Sequence, residues 1–425
     1  MERINVLAKH LSVSDKNRIV QEDTGSSREP PRFPNKPDDV VVVSALRTPI
    51  GKSRRGFFKD THGDDLLSAA FTGVLKSVDI KPDEIGDICI GNVNDGKSSV
   101  TARFAQFYSG IPYTVPASSV NRQCGSGLQA FMNIAGGIKN KAYPLGLAGG
   151  VEMMTKDKIG KGFEELNSKV MDYEDAKNCL IPMGITSENV AERYGVTRER
   201  QDKFSMASHQ KAAKATKEGH FKAEIIPVTV QVTDKNGDEK TITVTQDEGI
   251  RPNTTMEVLS KLKPAFKQGG STTAGNSSQT SDGAAAVLVA SRAEAERRGL
   301  PILGTLRAFA VTGVPPDVMG IGPAAAIPEA LKMAGLTIDD IDIYEINEAF
   351  ASQAVYCVDK LGIPHEKVNP KGGAIAFGHP LGATGARMIA TLVHEQKRRG
   401  KRSLGVVSMC MGTGMGAAAI FEYQP

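Results

Sequence analysis

The sequence predicts an α/β protein made of two similar halves with a loop domain inserted between them. Three observations carry this: a weak internal repeat, glycine-rich turns that open helices in both halves, and an ordinary globular composition. The repeat sets residues 80–92 beside residues 336–347, each an acidic turn leading into a short apolar strand. About thirty residues after the first copy, Val120-Asn121 leads into Cys124-Gly125-Ser126-Gly127. After the second, Val368-Asn369 leads into Gly372-Gly373. Two copies of one strand–turn–helix unit explain this spacing. With 425 residues, 40% hydrophobic and 24% charged, the chain has room for two or three domains and a large core.

Taken in order, the chain opens on residues 3–11, Arg-Ile-Asn-Val-Leu-Ala-Lys-His-Leu, which on a helix would place Arg3, Leu7 and His10 near one face. The spacing of Arg3-Ile4 and His10-Leu11 resembles the type 2 peroxisomal targeting signal, implying a peroxisomal location and an import receptor as partner. The acidic residues Glu2, Asp15, Glu22 and Asp23 speak against a mitochondrial presequence. Residues 12–37, rich in Ser, Asp, Lys, Arg and Pro, lack apolar periodicity and are expected to form a disordered linker. A first α/β half then spans 38–155, opens on the strand Val40-Val41-Val42-Val43, and is completed by about 282–302. Residues 156–281 are more charged and irregular and read as the loop domain, with residues 234–240 as a hairpin tip. A second half covers 303–425.

The totals exclude several classes of function. A net charge of +4 with no basic stripe interleaved with aromatics argues against nucleic acid, and no apolar run reaches the ~20 residues that span a bilayer. The five cysteines, Cys89, Cys124, Cys179, Cys357 and Cys410, contain no C-x-x-C pair, and the seven histidines lack ligand spacing. Neither a zinc site nor a disulfide framework follows, and no metal is expected. Two thiols in glycine-rich turns keep a disulfide oxidoreductase as a rival. Residues 91–98 also fit the phosphate-loop pattern, with Gly91, Gly96, Lys97 and Ser98 after a strand, which taken alone would indicate a nucleotide triphosphatase. No apolar strand ending in a magnesium-binding Asp follows.

Three segments carry thiol and imidazole chemistry. Cys124 stands in a turn that enters a helix, where free N–H groups favour an anion, so its thiol is expected to have a lowered pKa. His379, fixed between Gly378 and Pro380, begins a second helix-opening turn. Cys410 lies in a loop with Gly412, Gly414 and Gly416, whose backbone N–H groups can approach a ligand. Cys89 and Cys357 read as buried structural thiols.

With Asn347-Glu348-Ala349-Phe350-Ala351, the run Pro182 to Asn189, and Thr273-Ala274-Gly275-Asn276-Ser277-Ser278 followed by Ser281-Asp282-Gly283, these segments make residues 38–425 resemble the thiolase family. The resemblance implies two βαβαβαββ halves, each a mixed five-stranded sheet, with the loop domain projecting from the first half, and a homodimer paired near residues 118–122. It implies acyl transfer from 3-oxoacyl-CoA to CoA, with CoA as substrate and no cofactor. His379 would activate Cys124, and Cys410 would protonate the leaving carbanion and then deprotonate CoA. Asn347 would hold a water at one oxyanion, and the N–H groups of Cys124 and Gly412 would meet the other. CoA would lie near Arg251 and Thr254, with Ser278 on the pantetheine and Met183 in the acyl channel. Gly125 stands where degradative members carry Ser, as in acetoacetyl-CoA relatives, whereas Pro182 replaces their usual His, so a short-chain thiolase stays open. A carrier of lipids on the same scaffold is the non-catalytic alternative.

Overall fold

The computed structural model describes residues 33–157, 166–234 and 236–425. Arg3, Ile4, His10 and Leu11, expected to form a targeting signal, lie outside the described residues. The first half comprises β1 (Val40–Arg47), α1 (Gly63–Ser77), β2 (Ile88–Gly91), α2 (Ser98–Tyr108), β3 (Ala117–Val120), α3 (Ser126–Lys139) and β4 (Leu145–Met153), and is closed by β5 (Ser281–Ser291). The second runs β6 (Gly304–Gly313), α6 (Gly322–Ala334), β7 (Ile343–Ile346), α7 (Ala351–Leu361), α8 (Leu381–Arg399), β8 (Ser403–Met411) and β9 (Met415–Tyr423); between the halves lie α4 (Met183–Arg193) and α5 (Arg198–Lys217).

The strand order is β7-β8-β9-β6-β1-β5-β4-β2-β3. Within the first half β3, β2 and β4 are parallel and β5 and β1 antiparallel, five strands as expected. The second half repeats the pattern with four, β7 and β8 parallel, β9 and β6 antiparallel. The place of the fifth is taken by a single parallel bridge from Tyr344 to Val368, so the repeat at Val368-Asn369 is legible in the ladder although it is too short to be a strand. The two sheets join where Val41 and Val42 of β1 pair with Thr305 and Gly304 of β6.

Alternation along the strands sorts the core into layers. Val40, Val42 and Ala45 of β1 face one way, with Val287 and Val289 of β5 and Met409 and Met411 of β8, onto α3 and α8. Val41 and Val43, with Ile88, Ile90, Leu145 and Leu147, face the other way onto α1 and α2. In the second half Tyr344, Ile346, Leu404 and Val406 turn outward onto α6 and α7. Helices α3 and α8 are thus the middle of five layers, helix–sheet–helix–sheet–helix. The fit of that middle layer depends on missing side chains: a Cβ on Gly150 would stand 2.1 Å from the carbonyl oxygen of Gly382, well inside contact.

The inserted segment packs on both halves rather than projecting from the first. Its hairpin, Val228–Thr233 and Glu239–Val244, buries Val228, Val230 and Val244 against the outer core of the first half. Helices α4 and α5 pack instead on α7 of the second. Arg47 of β1 clamps the insertion through a bidentate pair with Asp247 at 2.7 and 2.9 Å and a bond to Glu224 at 2.8 Å, and Lys371 of the second half bonds the same Glu224 at 2.9 Å. Phe33, inside the segment expected to be linker, lies 5.0 Å under the Arg307 guanidinium and packs on the second-half core, because an aromatic face and a cation attract. Among the described residues no helix is long and apolar enough to cross a membrane.

Candidate active site

Cys124 occupies the turn between β3 and α3, one residue before the helix cap Gly125. The turn is tight: Gln123 adopts φ +50°, and its N–H donates to Asn121 Oδ1 at 2.9 Å while its carbonyl accepts from Ser126 Oγ at 2.5 Å. A left-handed Gln is a strained conformation held by its surroundings. The half-buried thiol does not have the lowered pKa that a helix start suggests. Burial pushes it up to about 11 and the Glu152 carboxylate adds to the rise, while the N–H of Gly412 opposes it. Desolvation outweighs the helix end because Cys124 precedes the first turn, and the N–H groups that oppose it, its own and that of Gly412, do not make up for the lost water.

His379 follows Gly378, whose φ of +114° only glycine adopts easily, and precedes Pro380, the cap of α8. The imidazole is buried, with Nδ1 2.7 Å from Thr384 Oγ1 and Nε2 3.3 Å from Asn347 Nδ2. Its backbone N–H donates to the Gln279 carbonyl at 3.1 Å. Burial, reinforced by the Arg387 guanidinium, pushes its pKa down to about 3, so the ring is neutral at physiological pH. Asn347 sits just past β7, its N–H donating to Ser408 of β8 at 2.9 Å.

Cys410 lies near the end of β8, packed with Met319, Ala349, Phe350 and Met183. Burial, then the Cys124 and Cys357 thiols, raise its pKa well above that of a free thiol. The two site thiols are therefore close enough for ionisation of one to oppose ionisation of the other. The turn after β8 brings the Gly412 N–H to Cys124. The facing starts of α3 and α8 touch, since a Cβ on Gly127 would come within 2.6 Å of the Gly382 carbonyl oxygen. Four segments, at Cys124, Asn347, His379 and Cys410-Gly412, thus meet in one place.

Of the other expected contacts, Met183 is at this place and Ser278 adjoins it, its N–H donating to the Ala349 carbonyl at 3.0 Å. Arg251 is exposed, its N–H donating to His209 Nδ1 at 3.2 Å, and Thr254 is buried with its hydroxyl donating to the Arg251 carbonyl at 2.9 Å. The loop reaches the site indirectly: Gln279 donates through Nε2 to the Gly249 carbonyl at 3.0 Å, while its own carbonyl takes the His379 N–H. Sequence reasoning assigned nothing to Thr384, Gln279, Arg387 and Glu152. Thr384 alone had a signal, because it lies in the glycine-rich segment that opens α8, five residues after His379.

Residues 91–98 are not a phosphate cradle. The N–H groups of Val93 and Asn94 are taken by the Glu152 carboxylate, and those of Lys97 and Asp95 by the side chains of Asp95 and Asn92. Among the described residues no group of three His, Cys, Asp or Glu side chains could hold a metal ion.

A family model of the thiolase N-terminal domain matches residues 40–293, and one of the thiolase C-terminal domain matches residues 300–423. The chain belongs to the thiolase family. Among its relatives, the mouse protein named 3-ketoacyl-CoA thiolase B, peroxisomal, is 67% identical over 386 residues, 91% of each chain. The rat protein of the same name is 62% identical over 424 residues, 100% of this chain and 99% of the relative. The crystal structure of the dimeric peroxisomal thiolase of Saccharomyces cerevisiae superimposes with a TM-score of 0.84 at 48% identity, covering 92% of this thiolase and 98% of that one.

Proposed function

We infer that this chain is a 3-ketoacyl-CoA thiolase, an acyltransferase that cleaves 3-oxoacyl-CoA with CoA and releases acetyl-CoA in fatty-acid β-oxidation. The observation that carries the reading is the convergence of Cys124, His379, Asn347, Cys410 and the Gly412 N–H from segments far apart in the chain. In the first half-reaction His379 Nε2 takes the Cys124 proton as Sγ attacks the 3-carbonyl. The resulting oxyanion is met by the N–H groups of Cys124 and Gly412. Collapse breaks the bond between carbons 2 and 3 and leaves the acyl group on Cys124. The departing acetyl-CoA carbanion takes the Cys410 proton, its enolate oxygen facing His379 and a water on Asn347. Cys410 then takes the proton of incoming CoA, whose thiolate attacks the acyl-enzyme. Cys124 leaves and recovers its proton from His379. Losing one oxyanion donor costs about 100–1000-fold in rate.

CoA is a substrate here and the reaction needs no cofactor. Met183 packs beside Cys410 and Ser278 adjoins Ala349 of the same cluster, which suits acyl chain and pantetheine, and the exposed Arg251 with Thr254 suits the nucleotide end. The domain partition at 38–155, 156–281 and 303–425 assigns that CoA face to the insertion. A homodimer accounts for the apolar side chains that α2 leaves exposed, Val100, Phe104, Phe107 and Tyr108, beside the open edge of β3. The names of the relatives and the Arg3-Ile4, His10-Leu11 spacing support a peroxisomal location reached through an import receptor.

Two variants test the roles. Cys124→Ala should form no acyl-enzyme and no product. Cys410→Ser should still be acylated at Cys124 by a simple acyl-CoA, while carbon–carbon cleavage falls about 100–10,000-fold. Mass spectrometry that found the acyl group on Cys410, or cleavage surviving in Cys124→Ala, would overturn the assignment.

A further inference from the structure

The mechanism leaves unused one buried carboxylate that reaches both catalytic turns. Glu152, at the end of β4, is fully buried. Its Oε1 accepts from the Asn94 N–H at 3.0 Å, and its Oε2 accepts from Val93 at 3.1 Å and from Gly382 at 2.8 Å. The first two amides belong to the loop that resembles a phosphate cradle. The third belongs to the first turn of α8, three residues after His379 and two before Thr384, which holds the imidazole Nδ1.

From the loop a second link runs to the nucleophile. The Val93 carbonyl accepts from Asn121 Nδ2 at 3.1 Å, and Asn121 Oδ1 accepts from the N–H of Gln123, the strained residue before Cys124, at 2.9 Å. Asn92 anchors the same loop to β4, donating through Nδ2 to the Val151 carbonyl at 2.7 Å. We propose that Glu152 is a positioning residue that holds the Cys124 turn and the His379 turn in register, and that the loop of residues 91–98 is built around this internal carboxylate in place of an external anion. The thiolase reading enters only through the roles of Cys124 and His379.

Chemistry selects a carboxylate for this position. Three N–H donors converge on a space closed to solvent, and a group that left them unpaired would cost their desolvation. Two acceptor oxygens on one rigid plane satisfy all three at once, whereas an amide offers only one oxygen and points N–H groups at an N–H. The charge has a second effect. Glu152 faces the Cys124 thiol and Asp157, and as a carboxylate it opposes thiolate formation in the resting enzyme. Burial holds its own pKa at about 7 against the three amides.

The test uses the full chain with Glu152→Gln and, separately, Asn121→Ala. Glu152→Gln keeps the shape but loses the charge and one acceptor. Cleavage of a 3-oxoacyl-CoA should fall about 10–100-fold in kcat with KM within about threefold of the parent, the signature of groups misplaced by a fraction of an ångström. The pH midpoint for alkylation of Cys124 by iodoacetamide, followed by peptide mass spectrometry, should move to lower pH. Asn121 is exposed and can be cut without emptying the core; Asn121→Ala should lower kcat while the melting temperature stays with the parent. Cleavage within threefold of the parent in both variants would overturn the proposal. So would an unmoved alkylation midpoint in Glu152→Gln with the kcat loss tracking thermal stability, which is what support of the fold alone gives. Alkylation needs no turnover, so a protein that failed to cleave 3-oxoacyl-CoA would still report whether Glu152 acts on Cys124.

Discussion

Gly125→Ser adds a side chain directly after the nucleophile, and the structure sets its cost. A Cβ at position 125 would lie 2.1 Å from Met411 Sδ and 2.9 Å from its Cγ, and Met411 is fully buried. Met411 must therefore change rotamer within a packed layer, an overpacking penalty of about 1–3 kcal/mol. Met411→Ala alone leaves a cavity worth about 2–5 kcal/mol. The added serine would fill part of that cavity, so the two changes should offset each other. Urea unfolding of the four proteins in a double-mutant cycle should give a favourable coupling of at least about 1 kcal/mol. Activity should follow, because Met411 adjoins Gly412, whose N–H reaches Cys124. Gly125→Ser should lose about 100-fold in cleavage rate, and the double variant should recover part of it. Additivity within about 0.5 kcal/mol, or a single variant with parental rate, would refute the contact as the reason for glycine.

Three further outcomes follow from groups around the site. Burial, helped by Arg251, pushes the His209 pKa down to about 4. Its contribution to stability is complete above an unfolded value of about 6.5 and is lost as pH falls toward 4. His209→Gln should therefore show a stability slope between pH 6.5 and 4.5 that is shallower by up to about 1.4 kcal/mol per pH unit, and parallel slopes in urea titrations would exclude this origin. Phe104→Glu places a charge on the exposed apolar side of α2 and should shift the dimer to monomer at micromolar concentration; unchanged sedimentation would place the interface elsewhere. Arg251→Ala should raise the Michaelis constant for CoA with little change in turnover, and an unchanged constant would remove Arg251 from the CoA face.

Local pattern made much of this fold legible. The four consecutive valines of β1 read as a strand, and the structure assigns alternate members to two different cores. The repeat located β2 and β7 because each begins with an apolar run after an acidic turn. Long-range packing was not legible. Nothing in residues 40–47 indicates that β1 meets β6, and nothing near Glu152 indicates that its three donors come from residues 93, 94 and 382. The expectation for Cys124 went wrong for the same reason. A helix start is local and visible in sequence, whereas desolvation depends on what the rest of the chain stacks around the thiol.

That correction changes how the nucleophile must work. Cys124 is a weaker acid than a free thiol and His379 a weaker base than a free imidazole, so both shifts favour the uncharged pair over thiolate and imidazolium. A preformed ion pair would be stabilised before substrate arrives, and that stabilisation would be absent from the barrier. In the proposed mechanism the positive charge on His379, disfavoured by burial and by Arg387, would arise as negative charge forms on the substrate oxygen opposite the Gly412 N–H. The cost of each charge is met by the other only while bond making is under way. Thr384 fits this account, because its Oγ1, 2.7 Å from Nδ1, can take a proton there while Nε2 faces the Asn347 amide N–H, a donor, and so serves as the acceptor. On that account the thiol would gain most of its reactivity from a carbonyl positioned to receive the charge.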